Sequence, residues 1–209
     1  HTSTSISLAC GLAKGRDVRG ESGNVIAIIG DGSLSGGEAL EGLDFASELG
    51  SNLIIVVNDN GMSIAENHGG LYENLKLLRE SDGKAECNLF RAMNLDYVFV
   101  KDGNDIDQLI AAFRQVKDST KPVVVHIVTE KGRGYAPAVK DKESWHWHMP
   151  FDIESGETKF QGGGEDYGDL TGKYMLEKMK RDPKVCMITS GTPAVGGFWK
   201  SRRAVEVPI

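Results

Sequence analysis

Two apolar segments of the sequence end in residues that could together bind a metal ion and a phosphate group. The first reads IAIIGDGSLSGG at 26–37, and the second reads LIIVVNDNGMS at 53–63. Asp31 and Asn60 carry side-chain oxygens and lie 29 positions apart (60 − 31). Magnesium takes six oxygen ligands and is usually held by one or two carboxylates together with ligand phosphates. Asp31, Asn60 and the Met62 carbonyl could supply part of this shell, and diphosphate oxygens and a water could complete it.

The glycines of the first segment favour a phosphate ligand, although a simpler interpretation exists. Gly30 and Gly32 allow a ligand to approach the backbone closely. Residues 33–37 lead into a helix whose free N–H groups suit a phosphate. A single GDG followed by a helix is more often only a tight turn, and NDN could be another turn. Both motifs together, each ending a buried strand, favour the metal-diphosphate site.

Strands and helices alternate along the first 130 residues. The apolar pattern predicts strands at 24–30, 52–58, 96–100 and 122–129, and helices at 3–15, 36–50, 71–80, 88–94 and 105–119. Strand, helix and strand over about 35 residues form a βαβ unit with parallel strands. Continuous Val and Ile runs indicate strands that are covered on both faces. The predicted fold class is α/β, with a doubly wound, mostly parallel sheet.

The composition changes along the chain and predicts three parts. Residues 1–130 form the diphosphate- and magnesium-binding domain, and 131–165, rich in Gly, Pro and Trp, form a linker arm. Residues 166–209 begin a second α/β domain, with a helix at 170–182 and a strand at 184–189. The chain starts with His and stops on a strand-like AVEVPI, so we expect a piece of a longer protein.

The overall composition restricts the class of protein. The 209 residues carry a net charge of −6, and no basic stripe is present, which argues against nucleic-acid binding. Cys10, Cys87 and Cys186 have no metal-ligand spacing, so reduced thiols in a cytoplasmic protein are expected. No apolar run approaches the roughly 18 residues of a membrane span, so no membrane partner is expected.

The two motifs resemble a known family when they are considered with the rest of the chain. GDG and NDN at this separation resemble the thiamine diphosphate signature of transketolase-like enzymes, and the 1-deoxy-D-xylulose-5-phosphate synthase family is the most similar. HTSTSIS is similar to that family's GHSSTSIS, and NDNGMSIAEN to its NDNEMSISEN. KGRGYAPAVKD and WHWHMPFDIESG are similar to KGRGYxPAExD and FHxxxxFDxxSG. The likeness covers residues 1 to about 155 well and the remainder loosely.

The resemblance implies a role for individual residues. Asp31 and Asn60 would be side-chain ligands of Mg²⁺, with Met62 as a backbone ligand. The implied cofactor contacts are Gly30, Gly32 and Ser33 against the diphosphate, His1 and Ser3 on a neighbouring loop, and Lys131 near the cofactor. His146 would face the reacting centre, and His1 would lie near it. Terminal disorder of His1, a solvated Lys131 and simple packing of His146 are the alternatives.

The resemblance also implies a reaction, cofactors and partners. The family uses thiamine diphosphate and Mg²⁺ to join pyruvate, after decarboxylation, to glyceraldehyde 3-phosphate for isoprenoid-precursor and thiamine biosynthesis. A homodimer is expected of the intact protein. The glutamate that activates the cofactor would follow just beyond residue 209, and Glu206 is not assigned this role. We therefore expect weak cofactor binding and no activity from these 209 residues alone.

Three alternatives remain open from the sequence. One is a transketolase-type transfer of two-carbon ketol units, and another is a non-catalytic cofactor-binding subunit or fragment. The helix after GDG and the shortened segment after NDN depart from the family pattern. These departures favour a third possibility, a synthase-like enzyme with another acceptor.

Overall fold

The computed structural model describes residues 1–159, 164–189 and 192–198. The chain forms two compact units, the first being His1–Gly134 and the second beginning at Tyr135. Over the residues that the structure describes, no helix combines the length and apolar character needed to cross a membrane.

The first unit is built on one parallel sheet of four strands in the order β1-β2-β4-β3. The strands are β1 (Ile26–Gly30), β2 (Leu53–Asp59), β3 (Asp96–Val100) and β4 (Pro122–Val128). The helices of this unit are α1 (Ser5–Val18), α2 (Asp31–Leu34), α3 (Gly37–Ala46), α4 (Gly70–Glu80), α5 (Leu89–Ala92) and α6 (Ile106–Val116). The predicted parallel α/β sheet is confirmed.

Helices pack on both faces of the sheet, as the continuous apolar strands predict. Leu53, Ile55 and Val57 of β2 belong to a core cluster that includes residues of α1 and α3. Ile54 and Val56 point the other way and belong to a second cluster with residues of α6. Successive strand residues point to opposite faces, so β2 needs apolar side chains at every position. The doubly wound arrangement follows from this pattern.

The edge strand β1 differs from the central strands because only one of its faces is covered in the described structure. Ala27 and Ile29 are buried against α1 and α3. Ile26 and Ile28, on the opposite face, are 50% and 67% exposed. The expectation that every strand is covered on both faces is therefore wrong for β1 in the described residues.

Gly83, after α4, is a position where both the backbone conformation and the space available disfavour a side chain. Its φ is +74°, and an added Cβ would lie 2.5 Å from Cβ of Phe99. We expect Gly83→Ala to lower the free energy of unfolding by roughly 2–4 kcal/mol, through left-handed backbone strain and overpacking. Gly20 has φ +67° but no neighbour within 4 Å of an added Cβ. Gly20→Ala should therefore lower the free energy of unfolding only by the backbone strain, about 1–2 kcal/mol. Equal losses for Gly83→Ala and Gly20→Ala in urea unfolding would contradict the packing argument.

The second unit contains two helices in its described residues, α7 (Ala136–Lys140) and α8 (Tyr167–Arg181). The sequence predicts α8 at 170–182, whereas α7 lies in the predicted linker arm. The strand predicted at 184–189 is wrong, because 185–189 form no strand and Ile188 is 92% exposed. A strand needs a neighbour for its backbone groups, and none in the described structure pairs with this segment. AVEVPI and Glu206 lie outside the described residues.

Candidate functional site

The parallel pairing of β1 and β2 brings the GDG and NDN motifs to one edge of the sheet. Gly30 at the end of β1 is in register with Asn58 near the end of β2. Asp31 follows Gly30 directly and Asn60 lies two residues after Asn58, both at the carboxyl ends of their strands, where open α/β sheets bind ligands. The sheet therefore juxtaposes the two segments that the sequence singles out.

Asp31 is a buried carboxylate that is held on both oxygens. It begins α2 and is 2% exposed. The Gly32 backbone N–H donates to Oδ1 at 2.9 Å, and Nδ2 of Asn67 donates to Oδ2 at 3.1 Å. Burial, followed by the nearby Asp59 carboxylate, raises the pKa of Asp31 to about 6. A cation bound to this carboxylate would favour its ionised form and so offset both the burial and the repulsion from Asp59.

Asp59, the middle residue of NDN, is fully buried and is neutralised by its own partners. Nη1 of Arg79 donates to Oδ1 and Oδ2 at 2.8 and 2.6 Å, and His126 Nε2 lies 2.8 Å from Oδ2. Burial alone would raise the pKa of this carboxyl, but the hydrogen bonds and charges of His126 and Arg79 outweigh it. The pKa of Asp59 therefore lies below its ordinary value. Asp59 serves these partners and is not a ligand candidate.

His126 extends this network into the core. Its Nε2 donates to the Asp59 carboxylate, which can only accept, and its Nδ1 lies 2.8 Å from the Tyr97 hydroxyl. Burial is the main reason that the pKa of Tyr97 is raised. Sequence reasoning missed Arg79, Tyr97 and His126 as neighbours of NDN. A polar His inside the apolar run PVVVHIVT is the signal that could have indicated a buried partner.

Asn60 and Met62 lie together in the turn that follows β2. Oδ1 of Asn60 accepts from the Met62 backbone N–H at 3.1 Å, which is an Asx turn. Met62 also forms an isolated bridge with Glu66. These contacts define a compact loop at 61–67, named the 61–67 loop below. It carries the predicted backbone ligand next to the predicted Asn60 ligand.

The two glycines of GDG have different surroundings. An added Cβ on Gly30 would meet nothing within 4 Å, so this position opens on free space. An added Cβ on Gly32 would lie 2.1 Å from Oγ of Ser63, so Gly32 permits the close packing of the 61–67 loop. Oγ of Ser3 donates to the Ser33 carbonyl at 2.7 Å and thereby ties the start of the chain to the residues after GDG.

The structure places Lys131 near the site residues and leaves His1 at the surface. Nζ of Lys131 donates to the Ser63 carbonyl at 2.5 Å, so this cation lies against the 61–67 loop. His1 is exposed, and its carbonyl accepts from the Thr4 hydroxyl at 3.0 Å. The cofactor roles assigned to both residues stay predictions.

His146 belongs to the second unit and lies beside a cluster of rings. It is exposed, and its backbone N–H donates to the Glu143 carbonyl at 3.1 Å. His148, two positions later, stacks on Trp145 with the ring centroids 4.2 Å apart. Ring packing therefore accounts for His148. The predicted role of His146 towards a reacting centre stays a prediction.

A polar pocket of about 60 Å³ opens beside Asp31 in the first unit. Its lining is Asp31, Gly61, Asn67, Tyr72, Glu73, Lys76 and Arg79. Within the described parts of the chain, no three His, Cys, Asp or Glu side chains form a metal cluster. Asn60 and Met62 are not among the lining residues of this pocket. A cation on Asp31 would therefore rely on this one carboxylate, on amide and backbone oxygens of the turn after β2, and on ligand phosphates. That donor set fits Mg²⁺, which favours oxygen and keeps much of its shell for waters and phosphates.

Comparison with known proteins identifies a family similarity over most of the first unit. The sequence profile described as 1-deoxy-D-xylulose-5-phosphate synthase matches residues 1–88 and 81–129. The chain is 36% identical to a synthase of that name from Geobacter metallireducens over 92% of this chain and 37% of the relative. It is 35% identical to a synthase from Halalkalibacterium halodurans over 100% of this chain and 39% of the relative.

The similarity covers only part of the known proteins. A synthase from Listeria monocytogenes is 35% identical over 98% of this chain but only 35% of its own length. The chain thus spans between 35% and 39% of the length of these three curated relatives. A solved enzyme from Mycobacterium smegmatis described as thiamin diphosphate-dependent has a TM-score of 0.44 at 23% identity, covering 59% of this chain and 21% of that one.

Proposed function

The chain belongs to the 1-deoxy-D-xylulose-5-phosphate synthase family, and we propose that its protein is a transferase that uses thiamine diphosphate and Mg²⁺. The proposed reaction joins pyruvate, with loss of carbon dioxide, to glyceraldehyde 3-phosphate and forms 1-deoxy-D-xylulose 5-phosphate. This product would serve isoprenoid-precursor and thiamine biosynthesis. One observation carries the proposal: Asp31, whose carboxylate is buried, follows the end of β1 and lies beside the NDN turn at the end of β2.

Asp31, Asn60 and the Met62 carbonyl would hold Mg²⁺ in this proposal. Their oxygens are hard ligands, and the hydrogen bonds of Asp31 fix its carboxylate before a cation arrives. Arg79 and His126 neutralise Asp59, so that the site presents one carboxylate, not two, to the cation. A single carboxylate leaves positive charge on the metal for the phosphates.

The diphosphate would lie against the backbone of Gly30, Gly32 and Ser33, with Lys131 as a nearby positive charge. The open space at Gly30 supports a close approach there. When bound, thiamine diphosphate supplies a ylid that adds to a carbonyl and stabilises a carbanion. His146 and His1 are proposed to donate protons or hold substrate oxygens near the reacting centre.

The wider organisation of the protein is also proposed. Residues 166–209, which include α8, would begin a pyrimidine-binding domain that follows a linker arm at 131–165. The partners would be the two small substrates, with no nucleic acid and no membrane. The intact enzyme would be a cytoplasmic homodimer.

The experiment that tests the function is product formation by the longest protein that the gene encodes. Pyruvate and glyceraldehyde 3-phosphate are supplied with thiamine diphosphate and Mg²⁺, and carbon dioxide and 1-deoxy-D-xylulose 5-phosphate are measured. We expect both products, each dependent on pyruvate. Transfer of a two-carbon ketol unit from a ketose phosphate without carbon dioxide release would replace the proposal with the transketolase-type reaction. Cofactor binding without either reaction would indicate a non-catalytic subunit.

A further inference from the structure

Asn67 connects the two strand ends that carry the predicted metal ligands. We propose that Asn67 is a positioning residue of the metal site, which orients the Asp31 carboxylate and locks the 61–67 loop against it. The inference rests on the proposed function, because it assumes that Asp31 and Met62 bind the cation. Asn67 itself is not assigned as a ligand.

The first step is the fixed orientation of the Asn67 amide. Ser63 Oγ donates to Asn67 Oδ1 at 2.7 Å, so the amide oxygen is engaged and Nδ2 is directed elsewhere. Nδ2 donates to Asp31 Oδ2 at 3.1 Å, and the Gly32 backbone N–H donates to Asp31 Oδ1. Each carboxylate oxygen receives a hydrogen bond, and an ionised carboxylate has further lone pairs for a cation. Asn67 thus sets the direction in which Asp31 presents its oxygens.

The second step is the closure of the 61–67 loop. The Asn67 backbone N–H donates to the Gly61 carbonyl at 3.2 Å, which joins the two ends of the loop. Met62 lies inside this closure and bridges to Glu66. The side chain and backbone of Asn67 therefore link Asp31, after β1, to the segment that carries Met62, after β2. Loss of the amide would release both predicted ligands from a common support.

Removing Asn67 should weaken metal binding more than it weakens the fold. Hydrogen-bond partners of metal ligands are typically worth 10–100-fold in metal affinity. We expect Asn67→Ala to weaken Mn²⁺ binding in the presence of thiamine diphosphate by roughly 10–100-fold. Mn²⁺ serves as a paramagnetic probe for Mg²⁺, and free Mn²⁺ is measured by electron paramagnetic resonance. The titrations use both the 209-residue chain and the longest product of its gene.

Two variants separate positioning from general destabilisation. Asn74 is a matched asparagine, since its Nδ2 donates to the Cys87 carbonyl and its Oδ1 accepts from the Leu89 N–H. Asn74→Ala should lower the unfolding midpoint and leave Mn²⁺ affinity unchanged.

Ser63→Ala removes the hydroxyl that orients Asn67 and should weaken Mn²⁺ binding by a smaller factor than Asn67→Ala does. If Ser63 and Asn67 act as one unit, the double variant should lose no more affinity than Asn67→Ala alone.

The outcomes distinguish this inference from the proposed function. Wild-type binding that is lost in Asp31→Ala but unchanged in Asn67→Ala would overturn the role of Asn67 and leave the metal site intact. If Asn67→Ala and Asn74→Ala lower the unfolding midpoint equally and also weaken Mn²⁺ binding equally, the lost affinity reflects general destabilisation. That result would also overturn the role of Asn67. Absence of wild-type binding in both proteins would overturn the proposed function together with the inference.

Discussion

Asp31→Asn is expected to stabilise the metal-free chain at pH 7 and to remove its affinity for Mg²⁺ or Mn²⁺. Folding buries the Asp31 carboxylate beside Asp59, which raises its pKa from 3.8 to about 6. At pH 7 the folded chain must keep this carboxylate ionised at a free-energy cost that a neutral amide avoids. We expect a gain on the order of 2–3 kcal/mol. Asn67 can turn its amide over to accept from the new side chain.

The pH dependence gives the sign of this effect. Below the ordinary pKa of 3.8, Asp31 is protonated in both the folded and the unfolded chain, so the variant has no advantage. As the pH rises from there through about 6, the unfolded chain loses the proton first and the wild type loses stability relative to the variant. Urea unfolding of both proteins between pH 4 and 7 measures the difference.

Metal affinity should respond in the opposite direction. An amide cannot replace the charge of the carboxylate, so we expect Mn²⁺ affinity to fall by at least roughly 100-fold, more than loss of an outer hydrogen-bond partner costs. Asp44 is exposed and is the control. Asp44→Asn should change neither the stability nor the affinity. A variant at Asp31 that keeps wild-type Mn²⁺ affinity would contradict the assigned role.

Asp59→Ala is expected to lower the free energy of unfolding by about 3–5 kcal/mol, because it leaves buried polar groups without their carboxylate. Asp59 and His126 are both 0% exposed, and the Arg79 side chain is 28% exposed. His126 would keep its hydrogen bond with the Tyr97 hydroxyl but lose the one from Nε2 to Asp59. A typical domain has only about 5–15 kcal/mol of stability in total, so this loss is large. Urea unfolding measures it, and Asp59→Asn, which keeps an acceptor, gives a folded protein if the alanine variant does not fold.

The control for Asp59 is another aspartate in an ion pair. Asp82 pairs with Lys101 at 2.9 Å, but the two side chains are 46% and 74% exposed. Asp82 has φ +49°, a conformation that Asn tolerates better than Ala, so the control variant is Asp82→Asn. Solvent screens exposed pairs, so this change should cost at most about 1 kcal/mol. Equal losses at Asp59 and Asp82 would show that the buried network of Arg79 and His126 contributes little.

The sequence predicted the two central strands well because they are buried on both faces. The predicted strand at 52–58 corresponds to β2 at Leu53–Asp59, and that at 122–129 to β4 at Pro122–Val128. A parallel βαβ unit then requires that GDG and NDN end at one edge. The place of GDG and NDN in the fold was thus predictable from the local sequence pattern. The side-chain contacts around them come from the structure.

The contacts around Asp59 could not be predicted in the same way. Asp59 and His126 are 67 residues apart, and Arg79 comes from a third element. Hydrophobic periodicity specifies which face a residue occupies but not which polar side chains meet on it. The helix α7 was missed because it has five residues and lies in a segment rich in Gly and Pro. Strand propensity at 185–189 likewise could not produce a strand without a pairing neighbour.

The most direct test of the metal-diphosphate site is the thermal unfolding midpoint with thiamine diphosphate and Mg²⁺, added singly and together. A ligand at a hundred times its dissociation constant adds about 2.7 kcal/mol of stability. We expect a rise in the midpoint that requires both compounds and disappears in Asp31→Asn. The longest product of the gene is measured beside the 209-residue chain. No shift in either protein would contradict the site and would leave GDG and NDN as turns.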